Sequence, residues 1–248
     1  MDYKKTTEEY YSKWIGPDHI VHENREKVCF IYSSERNKMQ HGYSAPFDLW
    51  IWRQPCQTIV SYGYKAASCI DLLKKALLFS ADDQMVETEV VRLYGRPLLH
   101  SIKYVFEKAL VHQTNARKLS TSDYSQYLAL FRENNPNCGD TGWLKDYFDD
   151  ITSLGLCFGV FDNGILASCT DAPGMPYMSE QVQEIGINTR QAYRQKGYAA
   201  DACAACVNEI LRCGKCPQWS TSIDNRASQK LAAKIGFIKL ADVFTVTL

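Results

Sequence analysis

Apolar residues in the first part of the chain fall in short runs of strand length. "KVCFIYSS" (27–34), "FDLWIWRQ" (47–54) and "TIVSYGYK" (58–65) are rich in β-branched and aromatic residues and predict strands. "SCIDLLKKALLF" (68–79) sets Ile70, Leu73 and Leu77 at helical spacing. "LLHSIKYVFEKAL" (98–110), just beyond Gly95-Arg96-Pro97, reads as a second helix. This is a small α+β unit without a motif that ties it to a reaction. Trp50, Trp52, Tyr62 and Tyr64 alternate as strand residues do, which places them in a core or interface rather than on a base-stacking platform.

The polar stretch "HQTNARKLS" (112–120) is the expected boundary, dividing the chain into domains 1–114 and 115–248. Beyond it the pattern becomes more regular. "SDYSQYLALF" (122–131) predicts a helix with Ser122 or Asp123 as N-cap, and "WLKDYFDDI" (143–151) a second one. "LCFGVFDNGILASCT" (156–170) is two apolar strands around Asn163-Gly164, a dipeptide that favours the positive φ angles of a tight hairpin turn. "DAPGMPYMSE" (171–180) reads as a loop, "VQEIGIN" (182–188) as one strand, and "AADACAACVNEILRC" (199–213) as a helix stopped by Gly214 and Pro217. "QWSTSI" (218–223) is a strand, "RASQKLAAKI" (226–235) a helix with Gly236 just past its end, and "FIKLADVFTVTL" one or two strands.

Composition narrows the function classes. Lys+Arg and Asp+Glu balance at 28 each, so net charge gives no support to nucleic-acid or acidic-membrane binding. The N-terminal "MDYKKTTEEYYSKW" lacks the apolar core of a secretory signal, and no run approaches a membrane span, so a cytoplasmic location is expected. Ten cysteines then read as reduced and mostly in the core, as in Leu156-Cys157-Phe158. Cys203-x-x-Cys206 and Cys213-x-x-Cys216 have only six residues between the pairs, too few for common zinc modules, and Cys203 and Cys206 share a helical face with Val207, Ile210 and Leu211. No metal is expected. His19-x-x-His22 lacks a metalloprotease frame, and there is no G-x-S-x-G hydrolase elbow.

The segment with most chemistry is "YRQKGYA" (193–199), set between a strand and a long helix. The first N–H groups of a helix have no internal partner and carry the positive end of its dipole, so a phosphate can satisfy them. Gly197 lets the backbone approach such a group, and Arg194 and Lys196 add charge at the rim. An ordinary solvated turn is the alternative on this stretch alone. It is neither a Walker loop nor a dinucleotide fingerprint.

Together with "NRASQKLAAKIGF" (225–237), in this order and spacing, the loop resembles the GNAT superfamily of acyl-CoA-dependent N-acyltransferases. The resemblance covers roughly residues 115–248. "T-x-x-x-Y-R" (189–194) and Trp219 ahead of Asn225 are similar to a branch with an additional N-terminal domain. It implies an α+β fold in which a mixed, mostly antiparallel sheet flanked by helices is preceded by a smaller α+β domain. It implies an N-acetyltransferase moving acetyl from acetyl-CoA to a small-molecule or peptide amine, without nucleic acid or membrane as partner and with a homodimer allowed for.

The same resemblance implies site residues. Amides across Gln195, Lys196, Gly197, Tyr198 and Ala199, beside Arg194, would hold the pyrophosphate. The strand with Ile185 and Ile187 would pair with the pantetheine arm, and Asn225 and Ser228 would lie along the cofactor. Glu184 is the candidate base, with a surface glutamate as the plain alternative. Ala232 stands where relatives often carry a tyrosine acid, so Ser222 is the candidate donor, with Ser220, Tyr177 and Tyr198 as substitutes. The missing tyrosine also favours a second reading, an acyl-CoA-binding sensor or scaffold that has lost turnover. A third is a different enzyme that uses the loop for another phosphate ligand.

Overall fold

The structure, a computed structural model, describes residues 1–16, 21, 28–40, 45–77, 83–108 and 114–248. His19, His22 and His112 lie outside the described residues, as do the ends of the segments expected to be helical at 78–79 and 109–110.

In chain order the elements are α1 (Tyr3–Ile15), β1 (Val28–Tyr32), β2 (Leu49–Gln54), β3 (Gln57–Tyr62), α2 (Ile70–Leu77), α3 (Asp83–Tyr94), β4 (Leu99–Phe106) and β5 (Arg117–Lys118). They continue with α4 (Tyr124–Asn134), α5 (Leu144–Ser153), β6 (Phe158–Asp162), β7 (Ile165–Asp171), β8 (Val182–Glu184), β9 (Gly186–Thr189), α6 (Tyr198–Arg212), β10 (Cys216–Ser222), α7 (Arg226–Ile235) and β11 (Phe237–Val246). The fold is mixed α+β, with largely antiparallel sheets flanked by helices. No helix among the described residues is long and apolar enough to cross a membrane.

The chain forms two compact units, one of Asp2–Tyr104 with Ser220–Arg226 and Lys239–Leu248, the other of Val105–Trp219 with Ala227–Ile238. In the first, β2 pairs antiparallel with β3 and with the end of β11, while β1 runs parallel to β3. The run Leu49-Trp50-Ile51-Trp52 is buried throughout because its sheet is covered on both faces. Leu49 and Ile51 pack with α2 and α3, and Trp50 and Trp52 meet Tyr11 and Trp14 of α1. Tyr62 is half-buried and Tyr64 exposed in the following turn.

Residues 99–106 correct the sequence reading: they form strand β4, not a helix. Ile102, Tyr104, Val105 and Phe106 are β-branched or aromatic and all buried, so strand propensity and burial outweigh the helical spacing of the apolar residues. In this unit Ser101 Oγ reaches Val243 O at 3.5 Å, fixing β4 beside β11.

The second unit carries a four-stranded sheet in the order β5-β6-β7-β9. The β6–β7 hairpin turns at Asn163 (φ 49°) and Gly164 (φ 78°), as the dipeptide requires. One sheet face buries Cys157, Leu166 and Cys169 against α4 and α5, whose Tyr127 and Phe148 rings stack at 4.5 Å. Against the same strands α6 buries Ala202, Cys203, Cys206 and Ile210. The start of α4 is prepared by a turn in which Asp123 accepts from the Ser120 N–H at 2.9 Å.

All ten cysteines are free thiols, but only Cys157, Cys169, Cys203, Cys206 and Cys216 are buried, half rather than most. Burial pushes the Cys206 thiol up to about 12, which makes it a packing group rather than a nucleophile.

Candidate active site

The segment expected as one strand is two. Val182–Glu184 forms β8, which runs parallel to β10 in the register Val182–Cys216 to Glu184–Gln218. Gly186–Thr189 forms β9, which leaves that pairing and lies antiparallel to β7 in the other sheet. Ile185 is the pivot: it is buried, and its N–H still reaches Gln218 O at 3.2 Å. Among the described residues β9 is the last strand of its sheet, so its outer edge could take up an added extended ligand.

The chain beyond β9 is pinned and then released. Arg190 Nε donates to Leu166 O at 2.9 Å and its Nη1 to Glu133 Oε2 at 2.6 Å, while Gln191 N donates to Glu133 Oε1 at 3.0 Å. After a single turn at Gln191–Tyr193, Arg194, Gln195, Lys196 and Gly197 are exposed. Gln195 (φ 63°) and Gly197 (φ 91°) have positive φ, so the backbone turns sharply just ahead of α6. Gly197 caps α6 without a side chain, and the first helical bond is Asp201 N to Gly197 O at 3.1 Å. Among the described residues, the N–H groups of Gln195 through Ala199 donate to no protein acceptor. A Cβ on Gly197 would meet nothing within 4 Å, so the space beside this residue is open.

Side chains hold the cradle without filling it. Tyr198 Oη donates to Asp162 Oδ2 at 2.8 Å, tying the first turn of α6 to the β6–β7 hairpin. The Lys196 ammonium lies 5.0 Å from the Tyr193 ring centre. Ala199 is half-buried and Ala200 buried where the helix meets the sheet. An anion of pyrophosphate chemistry fits this arrangement of unspent donors at a fifteen-residue helix N-terminus.

The remaining residues singled out from sequence divide. Ile187 is half-buried on β9 opposite Thr170, and Ser228 on α7 accepts from Trp219 Nε1 at 3.1 Å. Glu184 is partly exposed at the end of β8, its N–H directed at Met175 Sδ at 3.2 Å. Its neighbour Gln183 is buried and donates to Pro173 O at 2.8 Å. Ser222, the last residue of β10, and Asn225, in the turn that follows, belong to the first unit, where both are exposed. Asn225 N donates to Ser222 O at 3.1 Å, and Ser222 Oγ accepts from Asp224 N at 3.3 Å. Ala232 is fully buried on α7.

One group was not visible in sequence. Asp171, expected in a loop, is the last residue of β7, in register with Gly186. A Cβ built on Gly186 would lie 1.8 Å from Asp171 Oδ1, so the carboxyl occupies the space that the glycine leaves. Desolvation, with the nearby Glu184 charge, pushes its pKa up to about 6, partly offset by the neighbouring Tyr147 hydroxyl. The sequence signal was weak: an aspartate closing an apolar strand, and a glycine early in the next.

In the first unit, Asp83, His100 and Asp242 bring ligand atoms within 4.8 Å of one another. Arg53 pairs with Asp83 at 2.5 Å, and His100 and Lys239 pair with Asp242 at 2.9 and 2.6 Å, so these carboxylates are already matched by basic groups.

Residues 103–242, more than half of the chain, match the GNAT acetyltransferase family. The chain belongs to that family. No curated protein matches its sequence. This GNAT chain is similar in fold to a GNAT-family acetyltransferase structure from Colwellia psychrerythraea, at 16% identity and a TM-score of 0.53, over 78% of this chain and 77% of that one. It is also similar to a GCN5-related N-acetyltransferase from Sphaerobacter thermophilus, at 12% identity and a TM-score of 0.54, over 67% and 57%. At such identities the likeness is one of fold.

Proposed function

We propose that this GNAT chain transfers an acetyl group from acetyl-CoA to an amine by direct attack of the amine on the thioester. The observation that carries the reading is the pairing of an open strand edge at β9 with five unspent amides at Gln195–Ala199. The first suits an amide-bearing pantetheine arm, the second a pyrophosphate, and Arg194 and Lys196 supply charge at the exposed rim. Ile185 and Ile187 would flank the arm, and Ser228, with Asn225, would lie toward the cofactor.

An ammonium has no lone pair, so a base must take one proton before attack. Glu184, at the point where the two strands part, is the first candidate. Once the C–N bond forms, the C–S bond breaks and sulfur leaves with its electron pair. A thiol of pKa near ~8.5 leaves without an obligatory acid, which suits a site where Ala232 offers no hydroxyl. Ser222 already serves a turn in the first unit, which weakens its claim as the donor.

Ala232 also favours a second reading, in which the protein binds acyl-CoA and does not turn it over. Calorimetry with acetyl-CoA followed by thiol release across a panel of amines separates the two. The proposal expects saturable binding and amine-dependent release. Binding with no release for any amine supports the sensor, and no binding overturns both.

A further inference from the structure

We propose that the rings of Phe131, Trp143 and Tyr147 form the acceptor-recognition face of this site and select a primary amine that is carried on an aromatic body and protonated in solution. The inference rests on the acetyltransferase reading and adds a substrate class to it.

The direction of the cofactor sets where the acceptor must arrive. With its pyrophosphate on the amides that follow β9 and its arm laid along β9, the acyl end reaches Gly186, the first residue of that strand. Asp171 ends β7 in register with Gly186, and the Tyr147 hydroxyl neighbours the Asp171 carboxyl. From Tyr147 the rings run outward. Trp143, one helical turn earlier at the start of α5, meets Tyr147 edge to face at 5.9 Å, and Phe131 of α4 meets Trp143 in the same way at 5.7 Å. All of these residues belong to one compact unit.

Leu144, Phe148 and Ile151 spend the inner face of α5 on the core, so the helix is anchored without Trp143. Of the five tryptophans, Trp14, Trp50, Trp52 and Trp219 are buried, whereas Trp143 is 51% exposed with two rings fixing its orientation. A large ring held in place yet left facing solvent suits a flat apolar ligand, which gains both burial and an oriented ring contact. The exposed carboxylates Asp146 and Asp150 each follow a ring by three residues, which puts them beside the stripe on the helix surface. They favour a cationic ligand over a neutral one of the same shape, and Lys145, the cation within α5, is held by Asp149.

The test compares phenethylamine with ethylamine as acceptors for the wild type, Trp143→Ala and Trp143→Phe, alongside calorimetry of acetyl-CoA. The wild type should acetylate phenethylamine with a kcat/KM roughly tenfold above that for ethylamine, the advantage lying in KM. Trp143→Ala should lose that advantage through a higher KM for phenethylamine, with a far smaller change for ethylamine and an acetyl-CoA affinity within about twofold of the wild type. Trp143→Phe should keep most of the preference. Trp143 also reports binding without turnover: phenethylamine added to the CoA-bound wild type should shield its fluorescence from acrylamide, and Trp143→Phe should show no such shielding. Normal acetyl-CoA binding with no shielding, with equal kcat/KM for the two amines, or with a loss in Trp143→Ala shared equally by both overturns the inference alone. So does a dimer that Trp143→Ala splits while the preference for phenethylamine persists, because the exposed ring then serves a second copy of the chain. Failure of the wild type to bind acetyl-CoA overturns the acetyltransferase reading, and this inference with it.

Discussion

Two turns of the second unit use the same backbone device to opposite ends. Asn163-Gly164 and Gln195–Gly197 both place a polar residue and a glycine at positive φ. The first closes the β6–β7 hairpin, and its flanking strands consume their main-chain groups in pairing. The second opens onto α6 and leaves five N–H groups without a protein acceptor among the described residues. A turn that satisfies its own backbone needs no partner, whereas the free N–H groups at an exposed helix start are open to water or to an anion. Asp171 extends the contrast to side chains, as a carboxyl whose pKa desolvation and the Glu184 charge raise.

The largest effect should come from the satisfied side. Phe148 is fully buried against Tyr127, and Phe148→Ala should cost about 3–5 kcal/mol in urea unfolding. The unsatisfied side should respond in the opposite direction. Asp171 binds its proton more tightly folded than unfolded, so native stability falls as pH rises from about 4 to about 6 and is level above. Asp171→Asn should therefore gain about 1–3 kcal/mol at pH 8, and the gain should vanish near pH 4. A destabilised variant at pH 8 would show that the carboxylate is well accommodated after all.

Next in size are the two glycines. A Cβ at Gly164 or at Gly197 meets nothing within 4 Å, so alanine at either brings only backbone strain, about 1–2 kcal/mol of stability. Equal losses in thermal or urea unfolding would make the pair a matched control. The smallest effect belongs to a fully satisfied surface cluster. Arg212 and Lys118 hold the Glu209 carboxyl down at about 2, yet both cations are exposed to solvent and salt. Lys118→Ala should change stability by less than about 1 kcal/mol, and less still in high salt.

How far the sequence could be read follows the same line. The hairpin was legible because strand alternation and Asn-Gly turn chemistry agree locally. The α6 N-terminus was legible from Gly197 and Ala199, and the buried face of Cys203 and Cys206 from helical spacing. What failed depended on partners distant in sequence. Strand β4 was read as a helix because Leu98, Ile102 and Val105 fit a helical stripe until the neighbouring strand is known. The break at Ile185 was hidden because β8 and β9 take different partners, Cys216–Gln218 and Ser168–Asp171. Asp171 was missed because its meaning lies in Gly186 and Tyr147, and neither marks itself as a carboxylate's neighbour.

The claim that the Gln195–Ala199 amides hold the pyrophosphate of acetyl-CoA is tested most directly by calorimetric titration of acetyl-CoA into three proteins. The wild type and Gly164→Ala should bind with the same affinity within about twofold. Gly197→Ala, equally strained but displacing the amides, should bind roughly tenfold more weakly, the worth of one or two charge-assisted hydrogen bonds. Absence of binding to the wild type, or equal affinities for the two glycine variants, would contradict it.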